Sequence, residues 1–273
     1  MIEEQARGEP ARAQAIRARI VSLVGTDLSK VKPGSAEAMA LKATLIEQGA
    51  WSQYLEVGIG VDAEIFTKTA PMAAVGAGAE IGILRSSTWN NPEPEILLVA
   101  NGRGAAVGAT LGNDVNLRDV EGRSALLLGR AKDNNASCAV GSFIRLFDDA
   151  YTMDAVRAAD IALTVEGEDG FRLEGVSSMS KISRDPLDIL GHASGKHHQY
   201  PDGLALFLGT MFAPVQDRDR PGEGFTHKPG DIVTISTPTL GALVNRVAYC
   251  DDIAPWTFGT GALMKNLARR GLL

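Results

Sequence analysis

The chain has 273 residues, 45% of them hydrophobic and 22% charged, the balance of a soluble globular protein with one large domain or two small ones. Its net charge of -6 argues against a nucleic-acid or anionic-membrane partner. No apolar run approaches the ~20 residues of a membrane-spanning helix, the acidic start Met1-Ile2-Glu3-Glu4 carries no secretory pattern, and two cysteines, Cys138 and Cys250, fit a reducing cytoplasm.

Along the chain, Ile16, Ile20, Leu23 and Val24 recur at helical spacing up to Gly25. A second helix is expected after Pro33-Gly34-Ser35, with Leu41, Leu45 and Ile46 on one side and Gly49 as its stop. Both are rich in Ala, Arg, Lys and Glu, which suits a surface layer or a lid. From Trp51 on, strand-like segments dominate: Glu80–Leu84, Glu93–Ala100, Ala105–Leu111, Phe143–Phe147, Ile161–Glu166, Phe171–Leu173, Ala205–Leu208, Ile232–Ser236 and Leu243–Cys250. Helices are expected over Asp185–Ser194 and Gly261–Arg270, and the polar stretch 217–224 reads as a loop. This pattern predicts an α+β domain on a mixed or antiparallel sheet.

The segment Pro92-Glu93-Pro94-Glu95 opens a hairpin that turns at Asn101-Gly102-Arg103-Gly104. Carboxylates at i and i+2 of a strand share a face, roughly 6.5–7 Å apart. If Ala100 pairs with Ala105, Glu95 faces Thr110 and Glu93 faces Gly112, so Asp114 joins the same face. A one-residue slip would reverse this, and a Glu-x-Glu pair is also common on the solvated face of an antiparallel sheet. Three carboxylates without His or Cys favour a hard cation, Mg²⁺, Mn²⁺ or Ca²⁺, over zinc. Gly108 and Gly112 leave room for a close approach over the strand.

Five motifs in order carry a family resemblance. They are Glu64-Ile65-Phe66-Thr67-Lys68, Asn91-Pro92-Glu93-Pro94-Glu95, Gly112-Asn113-Asp114-Val115-Asn116-Leu117-Arg118-Asp119, Lys132 ahead of Cys138, and Pro201-Asp202-Gly203 followed by Gly209-Thr210. Over residues 61–250 the chain resembles the catalytic domain of the fumarylacetoacetate hydrolase superfamily, nearest to its 2-keto-3-deoxy-pentonate dehydratases. The resemblance implies a mixed β-sheet roll or barrel, here with an added helical segment over residues 1–50, a catalytic domain over 51–273, and no counterpart of the family's usual small N-terminal domain. It implies Mg²⁺ held by Glu93, Glu95 and Asp114, with Lys132 and Thr210 approaching the substrate and Arg118 and Asp119 supporting the metal site. An arginine–aspartate pair is equally often structural.

Glu64 discriminates within the family: dehydratases place a proton-transferring glutamate there, whereas hydrolases use a histidine further upstream. Lys68, in the same segment, is a substrate-binding candidate. So is Glu121, which stands where hydrolases often carry glutamine. His192, His197, His198 and His227 all fall downstream of the metal motifs and read as structural or peripheral. The implied reaction is loss of water from a 2-keto-3-deoxy sugar acid through an enolate, giving α-ketoglutarate semialdehyde, with Glu64 carrying the proton and Lys132 steadying the charge. The alternatives are hydrolysis or decarboxylation of an acylpyruvate or other 1,3-dicarbonyl, and a metal-stabilised binding protein without turnover. A homo-oligomer, dimer or tetramer, is implied by the family alone.

Overall fold

The computed structural model describes Ala18 and residues 30–47, 51–212 and 214–273. Apart from Ala18, the helix expected over Ile16–Val24 lies outside them, as does the stop at Gly49. In chain order the elements are α1 (Ala36–Glu47), α2 (Gln53–Ile59), β1 (Glu80–Ile83), β2 (Asn90–Asn91), β3 (Pro94–Ala100), β4 (Ala106–Asp114) and β5 (Asn116–Leu117). There follow α3 (Arg118–Glu121), α4 (Leu128–Lys132), β6 (Cys138–Val140), β7 (Arg145–Leu146), α5 (Met153–Arg157), β8 (Asp160–Glu166) and β9 (Arg172–Ser178). The chain ends with α6 (Pro186–Ala193), β10 (Leu204–Phe207), β11 (Ile232–Thr237), β12 (Gly241–Tyr249) and α7 (Thr260–Arg269).

Two sheets stack. One has the order β1-β12-β11-β8-β9, antiparallel except for the parallel β1–β12 pair; the other runs β10-β3-β4-β6, with β7 also pairing with β4. β3 lies against β8, and β4 against β11 and β12. In β8 the alternation is strict, with Ile161, Leu163 and Val165 buried and their neighbours outward, as expected of a sheet with one wet face. β3 instead is buried along nearly its whole length. Its Ile96, Leu98 and Ala100 enter the core with Ala109 and Leu111 of β4. The opposite parity, Glu95 on β3 and Gly112 and Asp114 on β4, therefore faces away from that core.

The hairpin register differs from the expected one in two places. Asn101 Oδ1 accepts the N–H groups of Arg103 and Ala105, making the turn one residue longer, so Ala100 pairs with Ala106. A bulge between Val99 and Ala100 adds a second residue, and Glu95 then faces Gly112 rather than Thr110. Two single-residue offsets restore the parity, so Asp114 still shares the face of the glutamates. The room at the glycines is filled by the chain itself. A Cβ on Gly112 would come within 2.2 Å of the Phe207 ring, and one on Gly108 within 2.5 Å of the Arg145 carbonyl.

A smaller cluster joins Val31, Ala38, Leu41 and Leu45 to Leu55 and Ile59, so the helical layer spans both sides of position 50. Ile46, expected on the inner face of α1, is exposed. Buried Arg184 ties this layer to α6, donating to the carbonyls of Val57 at 2.8 Å and Gly60 at 2.9 Å. Asp185 caps α6 by accepting the Leu187 N–H at 2.9 Å, ahead of Pro186 at the first helical position. Among the described residues no helix is long and apolar enough to cross a membrane.

Candidate metal centre and active site

On the outer face of the β3–β4 hairpin, Glu93, Glu95 and Asp114 each present a carboxylate oxygen, all within 4.8 Å of one another. Glu93 enters just before β3, and its N–H donates to Asn113 Oδ1 at 3.1 Å. Glu95 and Asp114 are buried. This is the trio expected from the sequence, and it is an all-oxygen donor set of the kind that suits a hard divalent cation.

Two lysines neutralise it from within the protein. Lys132, at the end of α4, donates to Glu93 Oε2 at 2.6 Å and to Asp114 Oδ2 at 3.0 Å. Lys68 lies 2.9 Å from Asp114 Oδ1 and also donates to the carbonyls of Val115 at 3.1 Å and of Lys132. Those partners, with Ser137 Oγ at 3.4 Å, commit all three N–H groups of Lys68 to the chain. The residue expected to meet substrate is thus placed beneath Asp114.

Burial and the neighbouring charges divide the carboxyls. Burial, reinforced by Asp114 and Glu121 against Lys132, pushes Glu93 up to about 7. Burial with the charges of Asp114 and Glu93 holds Glu95 well above the usual range, although the Gly209 N–H donates to its Oε2 at 2.7 Å. For Asp114 burial works in the same sense, but Lys132 and Lys68 outweigh it and keep the carboxyl below its ordinary value. Burial also opposes the Lys132 charge, yet Asp114, Glu93 and Glu121 hold it above the lysine range.

The other expected residues fall at different distances from this centre. Glu64 sits on an irregular strap and is solvent-exposed, but crowding of its carboxyl, with the charges of Glu121 and Asp114, raises its pKa against Lys132. Glu121 is joined to the cluster by Asn116, whose Nδ2 donates to Glu121 Oε2 at 2.6 Å and to Glu93 Oε1 at 2.9 Å. The Thr210 hydroxyl is taken up in a turn, accepting the Phe212 N–H at 3.2 Å and lying 3.4 Å from Ser177 Oγ; its neighbour Gly209 makes the contact to Glu95. Arg118 and Asp119 form no ion pair with each other. The Arg118 guanidinium lies 4.9 Å over Trp89, while Asp119 accepts from Ser87 Oγ at 2.8 Å and the Thr88 N–H at 2.9 Å, gripping the segment that leads to Glu93.

Of the histidines, His192 and His197 line a cavity of about 420 Å³ with Asp62, Ala63 and Ile65, beside the Glu64 strap. His227 is buried against Asp231. Asn116 and Gly209 were missed as functional residues. Both lie inside the family motifs, but only the folded chain shows which carboxylate each one touches. The buried atoms Asn91 Oδ1, Asn113 Nδ2 and Asn116 Oδ1, on residues flanking the carboxylates, have no hydrogen-bond partner among the described residues. Such groups are ordinarily satisfied by water or ligand, which fits a site built around a hydrated cation.

Residues 47–248 match the family model described as "Fumarylacetoacetate (FAA) hydrolase C-terminal". The chain belongs to the fumarylacetoacetate hydrolase family. Within that family it is 30% identical over 197 residues to "2-dehydro-3-deoxy-D-arabinonate dehydratase" of Saccharolobus solfataricus, covering 71% of this chain and 61% of that one. It is 29% identical over 184 residues to "Probable 2-keto-3-deoxyxylonate dehydratase" of Haloferax volcanii, covering 67% of this chain and 60% of that one. The chain thus spans about three fifths of the length of these relatives. Among solved structures, "2-keto-3-deoxy-D-arabinonate dehydratase complexed with magnesium and 2,5-dioxopentanoate" is similar with a TM-score of 0.64 and 31% identity, covering 72% of this chain and 66% of that one.

Proposed function

We propose that the protein is a Mg²⁺-dependent hydro-lyase that dehydrates a 2-keto-3-deoxy sugar acid, a pentonate, to α-ketoglutarate semialdehyde. The observation that carries this reading is the trio Glu93, Glu95 and Asp114, converging within 4.8 Å in a chain 31% identical to a dehydratase solved with magnesium and 2,5-dioxopentanoate. When bound by these three residues, the cation supplies Lewis-acid chemistry, drawing electron density from a 2-keto acid and acidifying its C3–H.

The chain's own groups handle the protons. Glu64, with its pKa raised, takes the C3 proton and delivers it to the C4 hydroxyl, which departs as water. A C3=C4 double bond remains; moving one proton from C5 to C3 gives the C4=C5 enol, and shifting its hydroxyl proton to C4 then gives the aldehyde. Lys132 spends two of its N–H groups on Glu93 and Asp114 and has a third for the developing negative charge on the substrate. Lys68 and Asn116 hold Asp114 and Glu93 in place. The Gly209–Thr210 turn approaches the substrate carboxylate, and Glu121 the sugar hydroxyls. The same reading includes a cytoplasmic homo-oligomer, which sedimentation of the full chain checks.

The deciding experiment supplies 2-keto-3-deoxy-D-xylonate or -L-arabonate with Mg²⁺ and couples semialdehyde formation to a dehydrogenase. Mg²⁺-dependent production of 2,5-dioxopentanoate is the expected result. Cleavage of acylpyruvates with no dehydration of either sugar acid would replace this reading with the hydrolase.

A further inference from the structure

The segment that delivers Glu93 is clamped by a second charged cluster, outside the carboxylate site. Buried Asn90, three residues ahead of Glu93, is held by the His227 N–H and the Thr226 hydroxyl. Its N–H donates to Thr226 Oγ1 at 3.3 Å, and its carbonyl and side-chain oxygens accept the His227 N–H at 3.4 and 3.3 Å. Behind that turn, Asp231 lies 3.2 Å from His227 Nδ1 and accepts the Lys228 N–H at 2.9 Å. It also receives Arg218 as a two-pronged pair at 2.6 and 2.7 Å. Arg218 in turn donates to the Thr226 carbonyl at 3.1 Å and lies 4.8 Å over the Phe171 ring. Gly167 makes space for it, since a Cβ there would stand 2.4 Å from its terminal nitrogen.

The Arg218 and Asp231 side chains are each only 1% exposed. An ion pair so buried is often no more stabilising than apolar side chains of the same volume, so its value lies as readily in fixing one geometry. Hydrogen bonds lead from the cluster through Thr226 and His227 to Asn90, on the segment that carries Glu93.

We infer that Asp231 is a positioning residue for Glu93. With Arg218 it fixes the Thr226–His227 turn, the turn holds Asn90, and Asn90 sets where the Glu93 carboxyl enters the cluster. Asp119 grips the same segment from its other side through Ser87 and Thr88. The inference rests on the proposed role of Glu93 as a cation ligand.

Asp231→Asn tests it on the full chain, because it removes the charge without touching any atom of Asn90. Hydrogen exchange is expected to rise about tenfold at the amides of Asn90, Asn91, Glu93 and Glu95 while the strands β8 and β11 keep their protection. Mg²⁺ affinity by calorimetry falls about tenfold. A variant with a lowered melting temperature but parental exchange at those amides and parental Mg²⁺ affinity overturns the inference, as does uniform acceleration across the whole chain. Where Asp231→Asn fails to fold, Thr226→Val carries the test, read at Asn91, Glu93 and Glu95, beyond the bond it removes. If the parent takes up no Mg²⁺, the proposed function fails, and the exchange measurement decides the positioning role by itself.

Discussion

Lys132→Met keeps much of the side-chain length and removes the ammonium between Glu93 Oε2 at 2.6 Å and Asp114 Oδ2 at 3.0 Å. At an effective dielectric constant of ~20, each contact is a gross attraction of ~6 kcal/mol. Desolvation cancels much of that, and removing one partner of a buried pair costs about 3–5 kcal/mol because the other charge is left uncompensated. At about 2–4 °C per kcal/mol for a chain of this size, the variant in chelator should melt roughly 6–20 °C below the parent. Glu93 and Glu95, already pushed up by burial, relieve part of the loss by taking up protons, so the deficit is smaller at pH 6 than at pH 8. A divalent cation takes over the neutralisation, and millimolar Mg²⁺ should raise the melting temperature of the variant more than that of the parent. The proposed dehydration should be lost even where stability is restored. Scanning calorimetry with and without Mg²⁺ reads the melting temperatures, and the coupled semialdehyde assay reads the turnover. A variant that melts within 2 °C of the parent in chelator and gains no more than the parent from Mg²⁺ would refute the charge argument.

Three further outcomes are expected. Glu64→Gln should lower kcat by about 10²–10⁴-fold, the span of a positioned proton carrier, while Mg²⁺ affinity by calorimetry stays at the parental value; unchanged turnover would remove Glu64 from the chemistry. The Glu93 pKa of about 7 lies above its unfolded value, so its contribution to metal-free stability is full below about 4.3 and fades as pH rises toward 7. Burial lowers the pKa of His227, which pulls the other way below about 6.5, so the Glu93 contribution is read as the difference between the parent and Glu93→Gln melting curves in chelator; a difference that grows with pH in the parent's favour contradicts it. Gly112→Ala places a Cβ 2.2 Å from the Phe207 ring beside Glu95, and should weaken apparent Mg²⁺ activation several-fold; parental activation would show that the ring yields freely.

The long strands were legible because apolar alternation and turn residues mark them, and each of the nine expected segments overlaps a strand, although the one expected over Phe143–Phe147 is reduced to Arg145–Leu146. Shorter pieces carry too little pattern. β6 has three residues and β2 and β5 two each; β6 is completed by pairing with β4, and β2 and β5 by pairing with each other. α2 was missed because only Leu55 and Ile59 mark its inner face. The carboxylate trio was legible through parity, which survived two errors of register because both were single-residue offsets. What sequence spacing could not carry was the destination of a long side chain. Lys68 reads as a free cation in a motif, yet its partners Asp114, Val115, Lys132 and Ser137 lie 46 to 69 residues downstream.

The chemistry of the centre follows from a mismatch of charge. Glu64, Glu93, Glu95, Asp114 and Glu121 act on one another, and among the described residues the lysines that stand among them are Lys68 and Lys132. Without a cation the excess negative charge has one outlet, protonation, and the raised values of Glu93, Glu95 and Glu64 mark that outlet. Asp114 stays ionised because both lysines contact it. A divalent cation on Glu93, Glu95 and Asp114 removes the need for protons on the two glutamates but does not displace the crowding at Glu64, which burial and Glu121 maintain. The expected consequence is a division of labour by environment: ligands that ionise when the metal arrives, and one carboxyl outside the ligand set whose pKa stays raised, the direction that favours carrying a proton. On this argument Glu121→Gln should lower the acidic limb of the kcat–pH profile, because it removes a negative charge that holds the Glu64 pKa up. A limb that stays in place or moves upward would break the link between Glu121 and Glu64.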